Sequence, residues 1–153
     1  MKICQVATGY TSIPAKASAA TEIVIEHLSN SLIDLAQEVT VVDISDRERT
    51  KSRFKVIEVA MPEGFGCSDY THDLGIKHKL KRLIYSINAS RALNSKMTSK
   101  DMDILHVHNQ YNGFFIRLKY PGAKIPMIYT LHSHIWTRPW DEIKDKIKIN
   151  YWM

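Results

Sequence analysis

Two histidine pairs, His106-x-His108 and His132-x-His134, concentrate more chemistry than any other part of the chain. Residues two apart on a strand share a face. Each pair therefore sets two imidazoles side by side, and imidazole works as a metal ligand, a hydrogen-bonding group or a proton carrier near neutral pH. A metal-dependent hydrolase using His106, His108, His132 and His134 is one reading of this pattern. Against it, the usual metallohydrolase run has an Asp after its histidine, and here Asn109 follows His108.

A second candidate is the loop over residues 9–18, which leads into a helix expected to start at Ala19. A helix amino terminus presents free N–H groups and the positive end of a dipole, so an anion such as phosphate is favoured there. Dinucleotide binding would require Gly-x-Gly-x-x-Gly directly after the first strand. The loop is too long and holds only Gly9, although Asp43 stands where a ribose-binding acid would. In a phosphate-binding P-loop, Gly9 and Lys16 would mark the ends, but Pro14 replaces the second glycine and Ala17 the hydroxyl residue.

The elements that must carry these residues follow from hydrophobic periodicity. Residues 2–8, 38–43, 54–61, 103–108 and 127–131 read as five strands, rich in apolar and β-branched side chains. Residues 19–35 read as a helix whose apolar stripe is Val24, Leu28, Ser31, Leu32 and Leu35, with Glu22, Glu26 and Asn30 on other faces. Residues 74–93 form a second helix striped by Ile76, Leu80, Leu83, Ile84 and Ile87; Lys77, Lys79, Lys81 and Arg82 fall outside the stripe, where they are available to anionic lipid headgroups. Residues 111–119 give a short helix, and beyond Pro139 a last one places Trp140, Ile143, Ile147 and Tyr151 on one face. Such alternation predicts an α/β class: a doubly wound, mostly parallel, Rossmann-like sheet with ligands at the carboxyl ends of its strands.

With 153 residues, 44% of them hydrophobic, the chain is long and apolar enough for one core. Neither an internal repeat nor a linker divides it, so residues 1–153 are expected to be a single domain. No apolar run approaches the roughly 18 to 20 residues that span a bilayer, and the amino terminus enters a strand-like run without a signal-peptide pattern. A cytoplasmic location is expected, with the basic helix free for peripheral contact at the inner membrane face. Cys4 and Cys67 are only two cysteines, one in an apolar run and the other in a Gly-rich loop; they suggest neither a disulfide framework nor a zinc knuckle and are expected to be free thiols. A net charge of +5 favours anionic partners without choosing among them.

Several segments resemble one family. Ala19-Ala20-Thr21-Glu22, the helix over residues 23–35 and Ala36-Gln37-Glu38-Val39-Thr40-Val41 are similar to the opening of family 4 glycosyltransferases of the GT-B fold. Asp103-Ile104-Leu105-His106-Val107-His108-Asn109 resembles that family's fourth-strand motif, and Tyr129-Thr130-Leu131-His132-Ser133-His134 the strand and loop that follow. The resemblance covers nearly the whole chain. It implies the acceptor-side, amino-terminal half of a retaining glycosyltransferase, which works in a cleft against a carboxyl-terminal half that grips the nucleotide-sugar donor. That half, with the family's paired-glutamate motif, would lie downstream of Met153, so the isolated chain is expected to be inactive or nearly so.

Residue roles come with the resemblance. His132 matches the histidine that hydrogen-bonds the sugar near its reacting centre. Backbone N–H groups at Ala19, Ala20 and Thr21 would approach donor phosphates or the acceptor, and Glu22 shares their turn without an assigned role. His108 and Asn109 are candidates for acceptor contact, with a structural hydrogen bond as the competing reading. The implied partners are a nucleotide-sugar donor and a glycan or lipid-linked acceptor; no metal, cofactor or nucleic acid is implied. Two departures stand out: Ala19-Ala20 where the family usually has Gly-Gly, and Ala36 where it commonly has Gly. A left-handed cap at Ala36 would cost about 1 kcal/mol. A non-catalytic glycan- or phosphate-binding module remains the second alternative beside the metal-dependent hydrolase.

Overall fold

The computed structural model describes residues 1–15, 19–67, 76–99 and 101–132. Five strands form one sheet: β1 (Lys2–Val6), β2 (Glu38–Ile44), β3 (Lys55–Val59), β4 (Ile104–Val107) and β5 (Met127–Tyr129). Their order is β3-β2-β1-β4-β5, and every neighbouring pair runs parallel. The helices are α1 (Ala20–Asp34), α2 (Ile76–Ala92), α3 (Asn94–Ser99) and α4 (Gln110–Lys119). The expected α/β class with a doubly wound parallel, Rossmann-like sheet is what the chain adopts.

Strand side chains alternate between two faces, so one sheet builds two cores. Cys4 and Val6 of β1, Val42 and Ile44 of β2, and Leu105 and Val107 of β4 pack against Tyr85, Ala89, Leu93, Met97 and Ile116 on one face. On the other, Val39 and Val41 meet Ala7, Ile13, Phe54 and Ile25 of α1. Gly9 is required by packing as well as by backbone: its φ is +81°, and a Cβ there would fall 2.2 Å from Cγ of Tyr85. The Tyr85 hydroxyl continues past it to donate to the Val42 carbonyl at 2.9 Å.

Both long helices are turned by about one residue from the setting that apolar periodicity predicts, a rotation of roughly 100°. In α1 the buried line is Glu22, Ile25 and Ser29, whereas Val24, Ser31 and Leu35 of the expected stripe are exposed. In α2 the buried residues are Lys81, Tyr85, Ser86, Ala89 and Ser90, while Ile76, Leu80 and Leu83 face solvent. The cause is polar pairing, because a buried polar group that finds its partner no longer opposes burial. Ser29 meets Gln5, Glu22 meets Thr8, Ser86 meets Asn112 at 2.7 Å, and Lys81 Nζ donates to the Tyr10 carbonyl at 2.8 Å.

This corrects the expected basic face. Lys77 and Lys79 are exposed, but Lys81 is buried at 5% exposure. Arg82 lies over two aromatic rings, 5.3 Å from the Tyr10 centroid and 5.2 Å from that of Tyr111.

Smaller differences have local reasons. Helix α3 was not expected; it is anchored by Met97, one turn beyond buried Leu93 and hydrogen-bonded to its carbonyl. Strands β3 and β5 are shorter than their apolar runs, and the helix expected beyond Pro139 lies outside the described residues. Ala36 does adopt the left-handed cap, with φ of 57°. Its N–H donates to Ile33 and that of Gln37 to Leu32, closing α1 in a Schellman motif. Cys4 and Cys67 are free thiols, the first buried.

Candidate functional site at the carboxyl edge of the sheet

Chain order reverses between β1 and β4, because β1 is followed by β2 on one side while β4 and β5 extend the other. In an open parallel sheet the crevice outside the strand ends at such a switch point is where ligands bind. Residues of the expected histidine clusters gather there. Register pairs Gln5 with His106, and alternation puts both, with His108, on the face that α1 covers.

The contacts form one connected set. Gln5, fully buried, donates from Nε2 to Ser29 Oγ at 2.7 Å. Its Oε1 lies 2.9 Å from Nε2 of His108. On the other side of that ring, Nδ1 of His108 is 2.8 Å from Nε2 of His132. His106 lies beside them, its ring tilted by 38° with its centroid 4.1 Å from that of His108, and its Nε2 reaches Thr130 Oγ1 at 2.7 Å. Burial, reinforced by the two neighbouring imidazoles, pushes His108 down to about 3. His106 is lowered by burial and by His132, and His132 by burial. At neutral pH the cluster is therefore three uncharged rings, each able to give one hydrogen bond and take another.

The start of α1 provides the second part of the edge. Ala19 is its buried N-cap residue, without a side-chain cap; Ala20 is exposed, Thr21 half-buried and Glu22 buried. Thr8 Oγ1 donates a hydrogen bond to the Glu22 carboxyl. Burial raises that carboxyl to about 7 against the help of Thr8, so the first turn of α1 already holds a group on the verge of ionisation. An incoming anion would meet the helix N–H groups together with this carboxyl.

His108 and Asn109 both make structural hydrogen bonds. Asn109 is the N-cap of α4, its Oδ1 accepting from the Tyr111 N–H at 3.0 Å. Its Nδ2 is buried without a partner among the described residues. Asp43, considered for a ribose, is fully buried and serves the loop instead. It accepts from the Ile13 N–H at 2.7 Å and pairs with Arg49 Nη1 at 2.7 Å. Burial nevertheless lifts it to about 6.

His134 lies outside the described residues. Among the described residues no group of three or more His, Cys, Asp or Glu is arranged to hold a metal ion. Both ring nitrogens of His108 are engaged by Gln5 and His132.

Gln5, Ser29, Thr8 and Thr130 belong to the site although sequence reasoning did not select them. Gln5 had a visible signal, a polar residue inside the apolar run Ile3-Cys4-Gln5-Val6. The other three are small hydroxyl residues with no distinguishing pattern; only the fold brings them to the edge.

Fold and site together define a Rossmann-like α/β domain with an uncharged imidazole cluster at its topological switch point. The chain belongs to glycosyltransferase family 4: the sequence profile of Glycosyltransferase Family 4 matches residues 21–153. Glu22, His106, His108, Asn109 and His132 fall within the matched span, whereas Ala19 and Ala20 precede it. No curated protein matches the chain. Among solved structures, the C-terminal domain (residues 78–226) of PF1911 hydrogenase from Pyrococcus furiosus is similar over 86% of this chain and 91% of that one, at 14% identity and a TM-score of 0.49.

Proposed function

We propose that this chain is the acceptor-side half of a retaining glycosyltransferase that moves a sugar from a nucleotide-sugar donor to a hydroxyl of a glycan or lipid-linked acceptor. The observation that carries the reading is the uncharged His132 ring, held against His108 at the carboxyl edge of the sheet, in a chain of this family. In the transfer, the bond from the anomeric carbon to the nucleotide phosphate breaks and one to the acceptor oxygen forms. The acceptor proton leaves with the departing phosphate. A neutral imidazole suits this centre because it orients a sugar hydroxyl without adding a charge beside the developing oxocarbenium ion.

The donor would be gripped mainly by a carboxyl-terminal half, with the N–H groups of Ala20 and Thr21 and the buried Glu22 lining this side. A peripheral lipid contact would rest on Lys77 and Lys79, the two exposed lysines at the start of α2. Among the described residues no helix is long and apolar enough to cross a membrane.

Calorimetric titration with UDP- and GDP-sugars, and separately with oligosaccharide acceptors, tests this division of labour. Saturable acceptor binding by the unaltered chain, with nucleotide-sugar binding weaker than micromolar, is the expected result. Mixing the chain with a carboxyl-terminal half from a family member should then yield product whose anomeric configuration, read by proton NMR, matches the donor. Micromolar nucleotide-sugar binding by the chain alone, or an inverted product, would overturn the reading.

A further inference from the structure

A buried glutamine amide has a direction, since one end only donates and the other only accepts. Gln5 spends a donor on Ser29 Oγ and turns its Oε1 to His108 Nε2. That nitrogen of His108 must then carry the proton. An uncharged imidazole has one N–H, so Nδ1 of His108 is left with a lone pair 2.8 Å from Nε2 of His132. Two lone pairs at that distance repel; the contact is a hydrogen bond only if His132 brings the proton. The direction set by one amide in β1 thus runs through two rings and ends on the ring that the proposed function places against the sugar.

We propose that His108 is a positioning residue, which Gln5 locks as an acceptor and which in turn holds His132 as the Nε2–H tautomer, its Nδ1 presented as a hydrogen-bond acceptor. The consequence is specificity of a stated kind: His132 takes a hydrogen bond from a ligand hydroxyl and cannot give one to a ligand carbonyl or phosphate oxygen. Two features support a lock over a chance contact. His108 is 5% exposed, so water does not compete for its nitrogens. Burial and the flanking His106 and His132 rings also hold it uncharged well below neutral pH, which preserves its lone pair. The parallel pair of His106 Nε2 with Thr130 Oγ1 carries no such direction, because a hydroxyl both gives and accepts.

This deepens the glycosyltransferase reading and rests on it for the identity of the ligand, but the tautomer is tested without any ligand. Long-range proton–nitrogen correlation spectra of the chain labelled in its histidine rings report which nitrogen of each imidazole is protonated. Signals of His132 are assigned by their loss in His132→Asn. At pH 7 His108 and His132 are both expected as single Nε2–H forms. His108→Gln, which can donate to Gln5 and accept from His132, should keep His132 in that form; His108→Leu should release it to a mixture of tautomers.

An Nδ1–H form of His132 in the unaltered chain would overturn the proposal, as it would mean that the Gln5 amide points the other way. So would an unchanged His132 spectrum in His108→Leu. The spectrum of the unaltered chain decides the tautomer even if a variant fails to fold. If the tautomers are as stated but oligosaccharide acceptors show no saturable binding to the chain, the lock stands and the glycosyltransferase reading of the site falls.

Discussion

Glu22 and His108 are buried groups of opposite charge type, and they give stability opposite dependences on pH. The carboxyl of Glu22 is raised from 4.5 to about 7, chiefly by burial. Below pH 4.5 it is protonated whether the chain is folded or not, and burial costs nothing through ionisation. As pH rises toward 7 the unfolded chain ionises while the folded one keeps its proton, so stability falls, and the full cost persists above 7. Glu22→Gln keeps the shape and a hydrogen-bonding partner for Thr8. It should raise stability at pH 8 by on the order of 2 kcal/mol and leave it nearly unchanged at pH 4.5, as read from urea unfolding at both values. A constant difference across that range would refute the assignment. His108 runs the other way: its lowered value makes stability fall as pH drops below the unfolded value of 6.5 toward about 3. Between pH 4.5 and 6.5 the two slopes oppose each other.

At the scale of elements, the closure of α1 carries a strain that one substitution relieves. Ala36 sits at φ 57° inside a Schellman motif whose two hydrogen bonds are both made, so the geometry is right and only the Cβ is misplaced. A left-handed alanine costs about 1 to 2 kcal/mol, and glycine gives back part of that through greater freedom in the unfolded chain. Ala36→Gly should therefore stabilise the domain by about 0.5 kcal/mol or more in chemical denaturation, with no change in the histidine spectra; destabilisation would mean that the Ala36 methyl makes a contact worth more than its strain. This position was legible beforehand through the family resemblance, whose members commonly have Gly there. The faces of α1 and α2 were not. Ile25 and Val24, or Tyr85 and Leu83, fit helical periodicity about equally, and the choice lay with Gln5, Thr8 and Tyr10 on other elements.

For the whole molecule, the carboxyl edge is tied together by one cation. Arg49 lies in the connection from β2 to β3, yet it reaches Asp43, the Ile44 carbonyl at 2.5 Å, the Ile13 carbonyl of the loop after β1, and Glu58 of β3 at 3.2 Å. Its side chain is 11% exposed and that of Asp43 fully buried. Breaking such a pair from one side leaves a buried charge without its partner, which costs roughly 3 to 5 kcal/mol. Arg49→Met should lower unfolding stability by about 3 kcal/mol or more. Adding Asp43→Asn to it should cost less than the sum of the two single changes, since the second removes the charge that the first exposed. Additive losses would show that the pair does not act as a unit. Because Ile13 and Asp43 fix the loop that leads toward α1, the same substitution should also weaken any ligand binding at the switch point.

The alternation of strands and helices was determined by the sequence itself, since apolar β-branched runs broken by turn residues leave a chain of this length few folds besides a parallel sheet wrapped by helices. Period-two spacing likewise put His106 and His108 on one face, and adjacency to the strand end put them at the edge. The rotation of each helix, the burial of Lys81 and the partners that His108 meets were settled only by tertiary structure. Each depends on a polar partner far away in sequence: Gln5 and His108 are 103 residues apart. Local pattern records which residues seek burial; it does not record which distant oxygen or nitrogen will make burying a polar one inexpensive.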